Sequence, residues 1–178
     1  MKEVTAFFKK ILLAVELFFV IVWVHWDKLL FVGIIVFDQF IKAKIISSMV
    51  PGETIPILQN VFHITYVLNP GAAFGILPNQ RIFFLVAGGL LLVLAAYFYP
   101  KINKKDNLSK FGAITLVSGA TANLIDRVQS GLVVDFLDLR GWPVFNIADV
   151  AIVAGMFVMV YVILFKMESQ TGGKMETL

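Results

Sequence analysis

The sequence predicts a membrane α-helical protein: a four-span transmembrane bundle with a small extracytoplasmic β-sheet and an N-terminal interfacial helix or extension. Hydrophobic residues make up 59% of its 178 residues, above the roughly 45–50% of soluble domains. Mean hydropathy is +0.87, and apolar stretches of span length recur along the chain. There is no cysteine, which excludes disulfides, thiol nucleophiles and cysteine metal ligands. No basic tract indicates nucleic-acid binding.

An apolar extension precedes the predicted bundle. Residues 10–26 are almost all apolar, apart from Lys10, Glu16 and His25. A fifth span there is an alternative, but it would place the N-terminal lysines outside, against the positive-inside rule. A signal peptide would need a small-residue cleavage site, which does not follow. We expect an interfacial helix or prolonged first span at residues 1–27, the four-span domain at 28–166 and a cytoplasmic tail at 167–178.

Four stretches have the composition of membrane spans. They are residues 29–46, 82–99, 111–125 and 147–165. The second contains no charged residue and the fourth contains only Asp149; both have the ~17–25 residues that cross a bilayer. The third is rich in Gly, Ala and Ser, which let helix backbones approach closely in lipid. The first is interrupted by Asp38, Lys42 and Lys44.

Lysine placement predicts the orientation. Residues 101–110 carry four lysines against one aspartate, whereas residues 47–80 contain neither lysine nor arginine. By the positive-inside rule, the lysine-rich loop and both ends of the four-span core face the cytoplasm. Residues 47–80 then face outward, so a site at that end of the bundle is extracytoplasmic.

Two extracytoplasmic segments predict β-structure. These segments are residues 50–78 and 128–145. Residues 55–68 are rich in β-branched and aromatic residues. Pro51 and Gly52 precede them and Asn69 and Pro70 follow, a pattern typical of strand, turn and strand. Residues 131–136 are expected to add a strand, and residues 140–143 a turn. We expect His63 to be a surface or packing residue of its strand, and Asp138 to lie in a solvated loop.

Ionisable and amide side chains gather near the predicted outer membrane face. They are Asp38, Lys42, Asn69, Asn123, Asp126, Arg127, Asp135, Asn146 and Asp149. Asn123 and Asp126 are three residues apart, as are Asn146 and Asp149, which puts both members of each pair on one helix face. Two such faces can meet across a shared cavity.

Some of these residues have ordinary structural explanations. Asp38 and Lys42 have the i, i+4 spacing of a helix salt bridge, although a functional pair is equally consistent with it. Asp126 and Arg127 can pair with other charges and hold a helix to the sheet. We therefore expect Asp38, Lys42 and Asp126 to support the structure.

Asp149 needs another explanation, because it begins a membrane span. Intramembrane carboxylates are costly and usually functional, and Asp135, in an apolar stretch, is its natural partner. Two carboxyls in a poorly hydrated site cannot both ionise comfortably, so one keeps a proton at neutral pH. The ionised one can take a proton from water, while the protonated one polarises a carbonyl and protonates the leaving amine. This aspartic-peptidase chemistry needs no metal and no cofactor.

Five sequence blocks, in this order, resemble lipoprotein signal peptidase, or signal peptidase II, a family of bacterial membrane aspartic peptidases. The blocks are D-Q-x-x-K at residues 38–42, N-P-G-A-A-F at 69–74, G-A-x-x-N-x-x-D-R at 119–127, V-V-D-F at 133–136 and F-N-I-A-D at 145–149. The sequence departs from the family at Ala122, where glycine is usual. The segment between the last two blocks is short, so we expect any flap over the site to be reduced.

The resemblance implies roles for the site residues. Asp135 and Asp149 correspond to the family's catalytic aspartates. Peptide or inhibitor contacts are implied for Asn69, Gly119, Asn123, Arg127 and Asn146. The implied substrates are diacylglyceryl-modified prolipoproteins, cut on the N-terminal side of the lipidated cysteine at the outer face of the bacterial cytoplasmic (inner) membrane. Membrane lipid and globomycin-type cyclic peptides are further implied partners.

Three other functions remain alternatives at this point. A polytopic transporter could use the acids as a proton relay, although the spans show no inverted repeat of Gly- or Pro-broken helices. A metal-dependent lipid phosphotransferase would need more closely spaced acids on facing helices. A lipoprotein chaperone would bind the same substrate without cleaving it.

The lysine asymmetry predicts opposite sidedness for two loops. Cysteines introduced at Lys104 and at Gln59 should react with a membrane-impermeant thiol reagent from opposite sides, because the native chain has no cysteine to interfere. In intact cells only the cysteine at Gln59 should be labelled. Labelling of both positions from outside would contradict the topology.

Overall fold

The computed structural model describes residues 16, 25–71, 80–103 and 106–166. These residues form four α-helices and a three-stranded sheet. The elements are α1 (Trp26–Ser48), β1 (Thr54–Leu58), β2 (Phe62–Asn69), α2 (Arg81–Phe98), α3 (Asn107–Gln129), β3 (Val133–Leu139) and α4 (Ile147–Tyr161). A short 3₁₀ turn, Tyr99–Lys101, extends α2, and a π-helical turn, Val162–Lys166, extends α4. Most of the predicted N-terminal extension, and the whole predicted tail, lie outside the described residues.

Within the described residues, three helices are long and apolar enough to cross a membrane. They are α2 with its 3₁₀ turn, α3, and α4 with its π-helical turn. None of the residues of α2 is buried within the protein, so this helix is apolar on all sides. α3 is the central helix, because α1, α2 and α4 all pack against it. Its small residues allow this, as the sequence predicted.

Glycines set the closest helix contact, between α3 and α4. A Cβ atom added to Gly155 would overlap the backbone of Leu116, and one added to Gly119 would overlap the carbonyl oxygen of Ala148. Such close approach between helix backbones is typical of membrane helices with small residues at the interface. The first turn of α4, which carries Asp149, is thereby held directly against α3.

The β-sheet is antiparallel, in the order β1-β2-β3. The β1–β2 turn contains Asn60 at φ 62°, a conformation that asparagine tolerates better than most residues. This confirms the predicted strand, turn and strand. A cluster of Met49 and Ile45 from α1 with Tyr66, Val134 and Phe136 holds the sheet against the end of α1. The sheet therefore covers one end of the bundle.

The third strand differs from the prediction. It runs from Val133 to Leu139, later than residues 131–136, because residues 137–139 continue the antiparallel pairing with Ile64, His63 and Phe62 of β2. The expectation that Asp138 lies in a solvated loop was wrong. Asp138 is a buried residue of this strand and accepts a 2.6 Å hydrogen bond from Thr65.

His63 is a buried packing residue. Its Nδ1 atom accepts a 3.0 Å hydrogen bond from Nε of Arg140, in the turn that follows β3. This agrees with the expectation that His63 packs within its strand.

The α3–α4 contact predicts that Gly155→Ala destabilises the protein. The added methyl group would meet backbone atoms, which cannot move aside as a side chain can, and such overpacking typically costs about 1–3 kcal/mol. The control is Gly33→Ala, since a Cβ atom at Gly33 has no neighbour within 4 Å. Thermal unfolding in detergent should show a lower midpoint for Gly155→Ala alone. Equal midpoints would show that the helices do not need this close contact.

Candidate active site

Asp135 lies on β3, opposite Val67 and close to the end of β2. Only 1% of its surface is exposed. Its Oδ2 atom accepts a 2.8 Å hydrogen bond from Asn69, and its Oδ1 atom accepts a 2.7 Å bond from Asn146. Burial raises the pKa of Asp135 to about 7, and the negative charge of Asp149 acts in the same direction. The two amide donors oppose this rise, so a proton on Asp135 is readily gained and lost near neutral pH.

Asp149 lies in the first turn of α4 and closes a capping box with Asn146. The Asp149 N–H donates to the Asn146 side chain at 2.8 Å, and the Asn146 backbone N–H donates to Oδ2 of Asp149 at 3.1 Å. Oδ1 of Asp149 accepts a 2.7 Å bond from Asn123. Both oxygens thus have donors, and the helix N-terminus favours negative charge.

Asn146 joins the two aspartates. It is fully buried, and its Nδ2 atom contacts Asp135 and, at 3.1 Å, Oδ1 of Asn123. Because its backbone N–H binds Asp149, one residue contacts both carboxyl groups. The structure therefore brings together five residues that the sequence assigned to the site: Asn69, Asn123, Asp135, Asn146 and Asp149.

A buried ionic cluster lies beneath these residues. Nζ of Lys42 is 2.7 Å from Oδ2 of Asp38 and 2.7 Å from Oδ2 of Asp126. Oδ1 of Asp38 accepts a 2.9 Å bond from the N–H of Ala148, in the first turn of α4. Asp126 also accepts from the backbone N–H of Val134 at 3.4 Å, so it holds α3 to β3. These contacts agree with the structural roles expected for the three residues.

Arg127 connects α3 to two neighbouring parts of the chain. Its NH2 group donates to the carbonyl oxygen of Gly71 at 2.9 Å. Its guanidinium group lies 4.5 Å from the centre of the Phe84 ring on α2, a favourable cation–π geometry. Arg127 also lines the cavity described below.

Gly119 lies apart from this group. It contacts α4 at Ala148 and Ile152 and is not among the residues that line the cavity. Its expected contact with substrate stays a prediction. What the structure gives Gly119 is a packing role next to the turn that carries Asp149.

Sequence reasoning missed two residues. Gln39 donates to Oδ1 of Asp126 at 2.7 Å, and the available signal was a second polar residue beside Asp38 within a membrane helix. Arg81 donates to the carbonyl oxygens of Arg127 and Val128 at 3.0 and 2.8 Å. It thereby adds a side-chain donor to the last carbonyl groups of α3, which no local sequence pattern could indicate.

A cavity of about 870 Å³ adjoins both aspartates. Its polar end is formed by Asn69, Asn123, Arg127, Asp135 and Asp149. The rest is apolar and is lined by side chains of α2, α3 and α4, among them Phe84, Leu91, Leu124, Ile152, Val153 and Phe157. Such a cavity can hold a molecule with a polar reactive group and a long apolar part.

The described residues contain no group of three or more His, Cys, Asp or Glu side chains placed to hold a metal ion. The chemistry that this geometry offers is that of two adjacent buried carboxyl groups. Such a pair shares a proton, so that one member acts as acid and the other as base.

Comparison with known proteins agrees with this geometry. The sequence profile described as signal peptidase (SPase) II matches residues 30–165. The lipoprotein signal peptidase of Pelotomaculum thermopropionicum is 43% identical over 133 residues, covering 74% of this chain and 86% of that protein. The lipoprotein signal peptidase of Clostridioides difficile is 43% identical over 145 residues, which cover 80% of this chain and 97% of that protein.

Solved structures show the same relationship. A bacterial membrane enzyme determined at 2.3 Å superposes with a TM-score of 0.76 and 32% identity, covering 81% of this chain and 90% of that one. The matched profile spans most of the four helices and the whole sheet. The chain therefore belongs to the signal peptidase II family.

Proposed function

We propose that this protein is an aspartic endopeptidase of the bacterial cytoplasmic membrane. It removes the signal peptide from diacylglyceryl-modified prolipoproteins, on the N-terminal side of the lipidated cysteine. The observation that carries the proposal is the contact of Asn146 with both Asp135 and Asp149 at the polar end of an apolar cavity. Family membership and the name of the relatives, lipoprotein signal peptidase, favour it over a transporter.

The two aspartates have different surroundings, which assigns them different roles. Both aspartates accept hydrogen bonds on both oxygens, but only Asp149 lies at a helix N-terminus, which favours negative charge. Asp149 is therefore the carboxylate that takes a proton from the attacking water. Asp135, with its raised pKa, holds the proton that polarises the scissile carbonyl. As water adds to the carbonyl carbon and the C–N bond breaks, Asp135 gives its proton to the leaving amine.

The neighbouring polar groups position the peptide. Asn69, which binds Asp135, and Asn123, which binds Asp149, both line the cavity, so a peptide carbonyl next to the pair also meets these two amides. Asn146 is fully buried behind them and holds Asp135 in place. Arg127 lines the same end of the cavity. A globomycin-type cyclic peptide would occupy this space and compete with the substrate.

The apolar part of the cavity accounts for the lipid. Side chains of α2 and α4 form opposite walls and α3 contributes between them. Burial of an acyl chain contributes about 0.8 kcal/mol per methylene group, so the diacylglyceryl group supplies binding energy that a bare peptide lacks. The acyl chains would remain at membrane depth while the peptide reaches the aspartates.

We assign α1 as a fourth span. Its 23 residues extend roughly 34 Å at 1.5 Å per residue, against ~30 Å of hydrocarbon. Asp38 and Lys42 are buried inside the protein and pair with each other, whereas Val32, Val36 and Phe40 are exposed. Lipid would therefore meet an apolar surface. With four spans, both ends of the core lie in the cytoplasm, and the sheet and site lie outside.

Loss of either aspartate should abolish cleavage. Purified Asp135→Asn and Asp149→Asn are expected to cut a diacylglyceryl-modified prolipoprotein about 10²–10⁴-fold more slowly, because each removes one acid–base group. The mass shift on signal-peptide loss measures the product. Asp138→Asn is the matched control: its carboxyl group is also buried on β3, but bonds to Thr65 outside the site, and it should stay active. Substantial turnover by a folded Asp135 or Asp149 variant would refute the proposed mechanism.

The raised pKa of Asp135 predicts an alkaline limit on activity. Its pKa rises from 3.8 to about 7, so Asp135 keeps its proton below that pH and loses it above. Because the protonated form is the active one, kcat should be high on the acid side and fall as pH rises through about 7. A pH profile of kcat for the wild type and Asp138→Asn would measure this. A constant kcat from well below to well above neutrality would contradict Asp135 as the acid.

A further inference from the structure

Lys42 is more than a counter-ion for two aspartates. Only 2% of the side chain is exposed, and an ammonium group has three N–H donors. Two of them face Asp38 and Asp126, and the third donates to Oδ1 of Asn123 at 3.0 Å. Through that third bond the buried cation contacts a residue that binds Asp149.

The bond from Lys42 determines which way the Asn123 amide faces. Oδ1 of Asn123 accepts from Lys42 and also from Nδ2 of Asn146, at 3.0 and 3.1 Å. If the amide were reversed, its NH₂ group would face two groups that can only donate in this arrangement. The oxygen must therefore face Lys42, and the NH₂ group must face Asp149.

This orientation matters for the position of the shared proton. An amide N–H directed at Oδ1 of Asp149 binds a carboxylate. An amide oxygen in that place would instead require Asp149 to carry the proton. The two carboxyl groups would then exchange the roles of acid and base.

We propose that Lys42 is a positioning residue of the peptidase: its ammonium group holds the Asn123 amide with its N–H toward Asp149, which leaves the shared proton on Asp135. The inference rests on the proposed function of the two aspartates. Lys42 does not touch the reacting atoms and acts only through Asn123.

The charges around Asp135 give Lys42 a second, measurable effect. The charges that act on Asp135 are Asp149 from α4, Lys42 from α1 and Arg127 from α3. Asp126, also on α3, pairs with Lys42. Burial is the main cause that raises the pKa of Asp135, and the positive charge of Lys42 opposes it. Loss of Lys42 should therefore raise this pKa further and move the alkaline limit of kcat to higher pH.

The test compares two variants that differ only at residue 42. Removing Lys42 alone would leave two buried carboxylates without a cation, so Asp126→Asn serves as the common background. There Gln39 can turn its amide to accept from the new Asn side chain, while Lys42 keeps its contacts with Asp38 and Asn123. Lys42→Met is then added, which keeps an unbranched side chain but has no N–H donor.

We expect Asp126→Asn to retain kcat within about threefold of the wild type, with KM little changed. Adding Lys42→Met should lower kcat about 10- to 100-fold, the range expected when a catalytic group is misplaced. It should also shift the alkaline limit upward, with KM nearly unchanged. A purely structural role would lower the unfolding midpoint and leave kcat of the folded protein near that of Asp126→Asn. The shift of the alkaline limit reports only the loss of the Lys42 charge near Asp135.

Two further variants cover the case in which the Met variant does not fold. Lys42→Gln in the same background offers Asp38 an amide donor. Its kcat and its alkaline limit are compared with those of Asp126→Asn. Asn123→Ala leaves Lys42 paired with Asp38 and Asp126, and it should show a similar loss of kcat. Wild-type kcat in folded Asn123→Ala would overturn the inference, since Lys42 would have no route to Asp149.

The result also separates this inference from the proposed function. If the wild type does not cleave the lipidated precursor, the proposed function fails. If the wild type cleaves it, and the folded Lys42 variants match Asp126→Asn in both kcat and alkaline limit, the inference about Lys42 fails alone.

Discussion

The site depends on how the first turn of α4 is capped. A helix leaves its first N–H groups without partners, and in hydrocarbon each such group costs several kcal/mol. Here the N–H of Ala148 binds Asp38, and the N–H of Asp149 binds Asn146. The side chain of Asp149 in turn accepts from the backbone of Asn146. The carboxylate to which we assign the proton transfer is therefore also part of the cap that lets the helix begin there.

The central position of α3 brings the remaining groups to that turn. Its glycine at 119 lets the backbone of Ala148 approach closely, and one turn later Asn123 reaches Asp149. Asp126, three residues further, binds Lys42 from α1 and the backbone of β3. One face of α3 thus fixes α4, α1 and the sheet relative to one another. The polar groups that do this are buried, so the outer surfaces of the helices stay apolar.

Much of this was predictable from local patterns. The i, i+3 spacing correctly placed Asn123 and Asp126 on one face of α3, and the β1–β2 turn followed from composition. Asn146 instead precedes α4 as its N-cap and meets Asp149 through the capping box. The partners were less predictable. Asn146 and Asp149 bind each other, but Asn123 and Asp126 bind different residues on other elements. Asp138 was misplaced because its place in the strand depends on pairing with His63 of β2, far away in sequence, and its hydrogen bond comes from Thr65 of the same strand.

The balance of charge supports the proposal that the two carboxyl groups at the cavity share one proton. Four carboxyl groups, those of Asp38, Asp126, Asp135 and Asp149, lie close to two cations, Lys42 and Arg127. Lys42 pairs directly with two of these carboxyls, which leaves the other two without a full counter-charge. Buried charges without partners are costly, so the pair at the cavity is most stable with a proton between its members. Lys42 is thus occupied by the ionic cluster that stabilises the bundle, and under the proposed mechanism the proton shared by Asp135 and Asp149 is the one that hydrolysis uses.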